Sequence, residues 1–136
     1  EAALAGIPAL AVSIDEFRPV NLDQQAEYVA RFIQNIDWPR IPRRRVLNLN
    51  FPKGPLDQAR GLRICPQTQA VYEDWYDKRI DPRGGPYYWL CGEILPQNLE
   101  DDSDRCLLSQ GYLTLTPLTF DFTDHGFLDQ LRQHLI

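Results

Sequence analysis

The side chains able to do chemistry fall in a few places along the chain. Asp15 and Glu16 adjoin each other just after an apolar run, where ligands of open α/β sheets gather at the carboxyl ends of strands. No third acidic or Asn ligand is tied to them by spacing, so they read as a solvated loop. Asn48 and Asn50 share one face of an extended segment, with Asn50 near its carboxyl end. Asn50 is therefore a candidate substrate contact, against the simpler reading of a hydrogen bond to a neighbouring loop. Arg40, Arg43, Arg44 and Arg45 form a basic cluster that either holds a phosphate or is a solvated loop. Arg83 sits in residues 81–86 (DPRGGP), where proline and two glycines permit a tight bend that would hold its guanidinium at a tip. Arginine suits bidentate phosphate recognition, which makes Arg83 a second candidate substrate contact; the alternative is a surface ion pair with Asp81 or Glu93. His125 follows Asp121 by four residues, the spacing of a capping contact rather than of catalysis.

Tyr72, Trp75, Tyr76, Tyr87, Tyr88 and Trp89 are the densest aromatic group, flanked by Arg79 and Arg83. They form either a local core under a hairpin or a contact surface, and Tyr87, Tyr88 and Trp89 are the candidate subunit contacts. The dinucleotide, P-loop and nucleophile-elbow motifs are absent, and no Cys and His cluster has metal spacing. Cys65, Cys91 and Cys106 are an odd set beside apolar neighbours, which reads as free thiols in a reducing, cytoplasmic compartment. With 14 basic and 19 acidic residues the formal charge is −5, which argues against a sequence-independent grip on nucleic acid and against an anionic membrane surface. At 136 residues, 43% of them apolar, the chain is one domain's worth with a core of its own.

The elements that must position these groups alternate. Residues 1–5 (EAALA) favour helix and are stopped by Gly6 and Pro8, so the chain is expected to begin inside a helix, with a segment missing upstream. Residues 8–14 (PALAVSI) read as a strand covered on both faces. Leu22, Ala26, Val29, Ile33 and Ile36 recur at helical spacing, with Asn21 and Gln24 as N-cap and N3 partner and Pro39 and Pro42 as stops. Residues 45–51 (RVLNLNF) are a strand, giving the helix and strand alternation of a parallel crossover. Residues 1–53 are thus the end of an α/β core, and residues 54–136 a Pro- and Gly-richer portion. Within it, residues 62–65, 70–76 and 87–91 are short strands, the last two forming an antiparallel arm over about residues 70–93. An acidic loop (100–104), a helical turn (105–110), a strand over 112–120 interrupted by Pro117, and a closing helix complete the chain. That helix is capped by Thr123 or Asp124 and carries Phe127, Leu128, Leu131 and Leu135 on one face.

Four segments carry a family resemblance: GIPALAVS (6–13), LNLNFP (47–52), DPRGGPYYWLCGE (81–93) and SQGYLTLTPL (109–118). In this order they resemble the later part of the SurE survival-protein family. Departures are mild: Gly85 stands where the family often has arginine, and Cys106 with Leu107 where it often has tryptophan and alanine. The resemblance implies the C-terminal half of a Rossmann-like α/β fold with a projecting hairpin, and a metal-dependent 5′/3′-nucleotidase with acid phosphatase activity. It further implies nucleoside monophosphate substrates, a divalent cation (Mg or Mn) and a homo-oligomer, dimer or tetramer. The family's metal ligands, two adjacent aspartates with a serine and an asparagine, match no position here. The 136-residue chain is therefore expected to be inactive alone. The reading set against it is a non-catalytic oligomerisation module acting through the aromatic arm.

Overall fold

The computed structural model describes residues 1–19 and 21–134. The residues 1–5 turn closes as expected: Gly6 N–H bonds the Ala3 carbonyl at 3.1 Å and Ile7 N–H the Ala2 carbonyl at 2.9 Å, with Gly6 at φ 79°. This paired closure through a left-handed residue is the Schellman arrangement, and the absent Cβ of glycine makes it cheap. Strand β1 (Ala9–Ile14) then runs parallel to β2 (Arg45–Phe51), the two joined through helix α1 (Asp23–Asn35). The second strand has the limits that its apolar pattern and its flanking Pro52 suggest.

Two further strands complete the sheet. β6 (Leu113–Thr119) lies antiparallel to β2, and β3 (Leu62–Ile64) parallel to β6, in the order β1-β2-β6-β3. Pro117 does not interrupt β6. Pairing to β3 stops at Leu115, so Pro117 lies where one side of the strand is already free, a position that tolerates the missing N–H.

Alternation along the strands sends apolar side chains to one face. Leu47, Leu49, Phe51, Leu113 and Leu115 form the buried cluster there. Helix α1 covers it with Tyr28, Val29 and Phe32, followed by Ile36 just past its end, and the Tyr28 ring meets Phe51 edge-on at 5.6 Å. The expected helical stripe is therefore only partly the one used. Leu22, Ala26 and Ile33 turn instead toward β1, where with Val12 they line an open apolar groove. The helix carries two overlapping apolar stripes, and the sheet takes the one with the larger rings.

Three other expectations are corrected. β1 is an edge strand of this sheet with Val12 exposed, so its apolar run is not covered on both faces. The N-cap of α1 is Leu22, without a side-chain cap bond, rather than Asn21, whose Oδ1 accepts the Asp23 N–H at 2.7 Å from one residue further out; Gln24 is no capping partner either, since its side chain accepts the Leu56 N–H at 3.3 Å. The long-range partner satisfies a loop donor that would otherwise lack an acceptor. The arm's first strand, β4, is Glu73–Ile80 rather than 70–76, and it pairs antiparallel with β5 (Pro86–Glu93) as a sheet of its own. Charged residues at 77–79 hide the strand, because neither face of this hairpin is buried.

Residues 100–104 are less of a solvated loop than their charge suggests. Ser103 caps helix α2 (Asp104–Ser109) through the Cys106 N–H, and both Ser103 and Asp104 are buried. Asp104 Oδ1 accepts the Thr68 N–H at 3.0 Å, while Glu100 accepts the Thr68 hydroxyl at 2.7 Å and the Gln69 N–H at 3.1 Å. The Thr68 hydroxyl, with backbone donors, holds the Glu100 carboxyl below its usual range. This acidic segment fastens the strand of chain that leads into β4. Helix α3 (His125–His134) is capped by Asp124, whose Oδ1 takes the Phe127 N–H at 2.9 Å. Phe127 is exposed, Leu128 and Leu131 are half-buried, and Leu135 lies outside the described residues.

Candidate functional site

The polar face of the sheet carries a row of small side chains in register. Ser13 of β1 stands beside Asn50 of β2, which stands beside Thr114 of β6, which stands beside Arg63 of β3. The row lies near the carboxyl ends of β1 and β2, where a doubly wound sheet opens its ligand crevice. Ser13 Oγ donates to Asn50 Oδ1 at 2.6 Å, and Asn50 Nδ2 donates to Thr114 Oγ1 at 3.4 Å. Asn50 is 8% exposed and Thr114 0%, so these bonds satisfy groups that water barely reaches. Asn50 thus bonds side chains of neighbouring strands, not a loop, and one amide hydrogen remains to it.

Beside the row, the Arg60 and Arg63 guanidiniums each lie 4.7 Å from the centre of the Tyr112 ring. Two cations on one aromatic are held by the ring's negative face and remain able to receive an anion. Ser13, Thr114, Arg60, Arg63 and Tyr112 carry no sequence signal of this grouping. It arises from the β3–β6 pairing, which joins segments some fifty residues apart.

Beyond the strand ends lies a crevice of about 430 Å³, walled by Glu16, Asn21, Gln24, Gln25 and Gly54. Asp15 is exposed and its N–H bonds the Phe51 carbonyl at 2.9 Å, while Glu16 is half-buried against the crevice. Among the described residues no three His, Cys, Asp or Glu side chains come close enough to hold a metal ion. Cys65 packs 3.9 Å from the Thr116 hydroxyl. Burial pushes its thiol up, with the Thr116 hydrogen bond opposing, which disfavours the thiolate.

The hairpin is built differently. Asp81 Oδ1 accepts both the Arg83 and Gly85 N–H groups at 2.8 Å, and Gly84 takes φ 85° to close the bend. The Asp81 carboxylate is thereby engaged by backbone, and among the described residues Arg83 makes no ion pair with it or with Glu93. Arg83 stands at the exposed tip, as the bend predicts. Register places Tyr76, Ile80, Tyr88 and Leu90 on one face and Trp75, Tyr87 and Trp89 on the other. On the second face Arg79 bridges Asp77 at 2.8 Å and lies 5.6 Å over Trp89. Among the described residues the first face has no cation over a ring, and both faces are exposed, with Tyr76 71% and Tyr88 60% on the first and Trp89 57% on the second. Tyr88 and Trp89 thus project from opposite faces of the hairpin. A local core under the hairpin is not formed.

His125 and Asp121 meet as their spacing predicts, at 2.8 Å and in solvent. The His125 hydrogen bond, aided by Thr123, holds the Asp121 carboxyl down to about 2.

A parallel β–α–β crossover, an antiparallel strand completing one sheet, and a crevice at the strand ends define an open α/β protein of the Rossmann-like class. Residues 1–74 match the family model described as "Survival protein SurE", and the chain belongs to that family. It is 53% identical over 133 residues to a 5′-nucleotidase SurE of Nitratidesulfovibrio vulgaris (strain Miyazaki F), covering 98% of this chain and 49% of that protein. The 5′-nucleotidase SurE of Fervidobacterium nodosum is 36% identical over 132 residues, covering 97% of this chain and 51% of that one. In structure the chain resembles the SurE protein from Aquifex aeolicus, with a TM-score of 0.78 at 24% identity, covering 98% of this chain and 54% of that one. The chain spans about half the length of the curated relatives it matches.

Proposed function

We propose that this chain is the C-terminal part of a divalent-metal-dependent nucleotidase that hydrolyses nucleoside 5′- and 3′-monophosphates in the cytoplasm. The observation that carries this reading is the 53% identity to a protein named as a 5′-nucleotidase, across 98% of the chain. It favours the enzyme over the non-catalytic module. When bound, a Mg or Mn ion would polarise the phosphoryl oxygen and supply a nucleophile, and its ligands are to be sought outside the described residues. This chain's own contribution is a wall of the crevice. Asn50 orients the Ser13 hydroxyl at the strand ends, and Arg83, carried on the hairpin, takes the substrate phosphate of a neighbouring copy in a dimer or tetramer.

The test is phosphate release from nucleoside 5′- and 3′-monophosphates by the intact protein with Mg or Mn, and by the 136-residue chain alone. Turnover by the first and none by the second is expected. An inactive intact protein, or a chain active alone, overturns the reading. Arg83→Ala in the intact protein should lower kcat/KM about tenfold with an unchanged Tm, as loss of one charge-assisted phosphate contact does.

A further inference from the structure

At the end of the sheet where β2 begins and β6 finishes, Arg43, Arg44 and Arg45 line one side of a cavity of about 320 Å³. Thr119, Phe120 and Asp121 line the other. Among the described residues none of these three guanidiniums has a carboxylate within ion-pair reach, whereas nearby Arg40 is held by Asp37 at 2.9 Å. Asp121, the one carboxylate at the cavity, is already engaged: Oδ2 by His125 Nε2 at 2.8 Å and Oδ1 by the Thr123 N–H at 3.0 Å. Arg45 Nη1 donates to the Arg44 carbonyl at 3.3 Å, which spends one donor and leaves the charge without a counter-ion, so a chain with five surplus negative charges lines this cavity with three adjacent arginines. Like charges this close repel, and an anion among them converts that repulsion into attraction.

Two local features fit an anion. Arg44 holds φ 61°, the left-handed region that glycine or asparagine fills more easily, and it is the only described non-glycine residue to do so. Backbone strain of this kind persists where the position of a side chain matters. Thr119 Oγ1 accepts the Asp121 N–H at 3.2 Å, which leaves its hydroxyl hydrogen to donate. We propose that this cavity is an oxyanion site that binds a phosphate-type group, with the three guanidiniums as its positive wall and the Thr119 hydroxyl as a neutral donor. The volume is ample for a diphosphate, and Leu4 and Phe120 complete the lining.

The test is calorimetric titration of inorganic pyrophosphate into the intact protein, at low and high NaCl, with the Arg43→Gln/Arg45→Gln double variant and with Arg44→Gly. The double variant should bind one pyrophosphate fewer per chain, or bind it about tenfold or more weakly, since charge-assisted contacts are lost. The wild-type site should weaken with NaCl. Arg44→Gly should weaken binding while raising Tm, because it removes strain and charge together, and this separates the site from a folding defect. The same comparison with a nucleoside diphosphate identifies the source: loss there too assigns a nucleotide-borne group, and loss confined to pyrophosphate a free anion. Stoichiometry and affinity unchanged in both variants would overturn the site. Hydrolysis of a nucleoside monophosphate should be unaltered in these variants, so failure of the anion site and failure of the nucleotidase reading are told apart.

Discussion

The four-stranded sheet and the two-stranded hairpin are made of the same kinds of residue and put them to opposite use. In the sheet, alternation sends Leu47, Leu49 and Phe51 under α1 and leaves Asn48, Asn50 and Thr114 on the other face, where Asn50 bonds both Ser13 and Thr114. In the hairpin, alternation is just as regular, yet Tyr76, Tyr88, Trp75 and Trp89 are exposed on both faces. Periodicity therefore shows which residues share a face; whether that face is covered depends on a third layer. A two-stranded sheet is marginal on its own, so the hairpin's aromatic surface is where a further surface is needed.

Substitutions in the core should break the comparison most strongly on the side of the sheet. Leu49→Ala removes a fully buried side chain beneath α1 and should cost about 3 kcal/mol in urea denaturation. Tyr76→Ala together with Tyr88→Ala should cost the monomer less than about 0.5 kcal/mol, since both side chains are exposed. The same pair should lower the oligomeric mass in light scattering, and an unchanged mass would remove that face from the assembly. Trp89→Ala, on the opposite face, should lower it less, because the Arg79 guanidinium 5.6 Å from the ring centre competes with a partner for that ring.

Within the sheet, Thr114→Val leaves the Asn50 amide without its partner, at a cost of about 1 kcal/mol by denaturation. The smallest effect is the titration of Asp121. Its carboxyl falls from an ordinary 3.8 to about 2 in the folded chain. A depressed folded value means the stabilisation is present above about pH 4 and is lost as pH falls toward 2. Asp121→Asn should abolish that acid-side slope near α3, as followed by NMR of the His125 ring, with little effect at neutral pH.

Much of the sheet was legible in the sequence because its signals are local. Residues 45–51 alternate and end at Pro52, Gly6 closes the first turn, Asp124 caps α3, and the proline and glycines of residues 81–86 mark the bend of the hairpin. What was hidden depends on partners far along the chain. Asn50 meets Thr114, Gln24 meets the Leu56 N–H, and Thr68 meets Glu100 and Asp104, over separations that no spacing rule covers. The limits of β4 were missed for another reason: its charged residues pair with Tyr87, Tyr88 and Trp89 across a ribbon wet on both sides. Of the candidate site, the position of Arg83 at a tip was readable, whereas the Arg60, Tyr112 and Arg63 stack exists only once β3 and β6 are joined.

Hydrogen exchange of backbone amides in the intact protein, at concentrations above and below assembly, tests the contrast between sheet and hairpin most directly. Amides of β2 and β6 should be strongly protected at every concentration, and those of β4 and β5 protected only when copies associate. Hairpin amides as protected in dilute monomer as those of β2 would contradict the account.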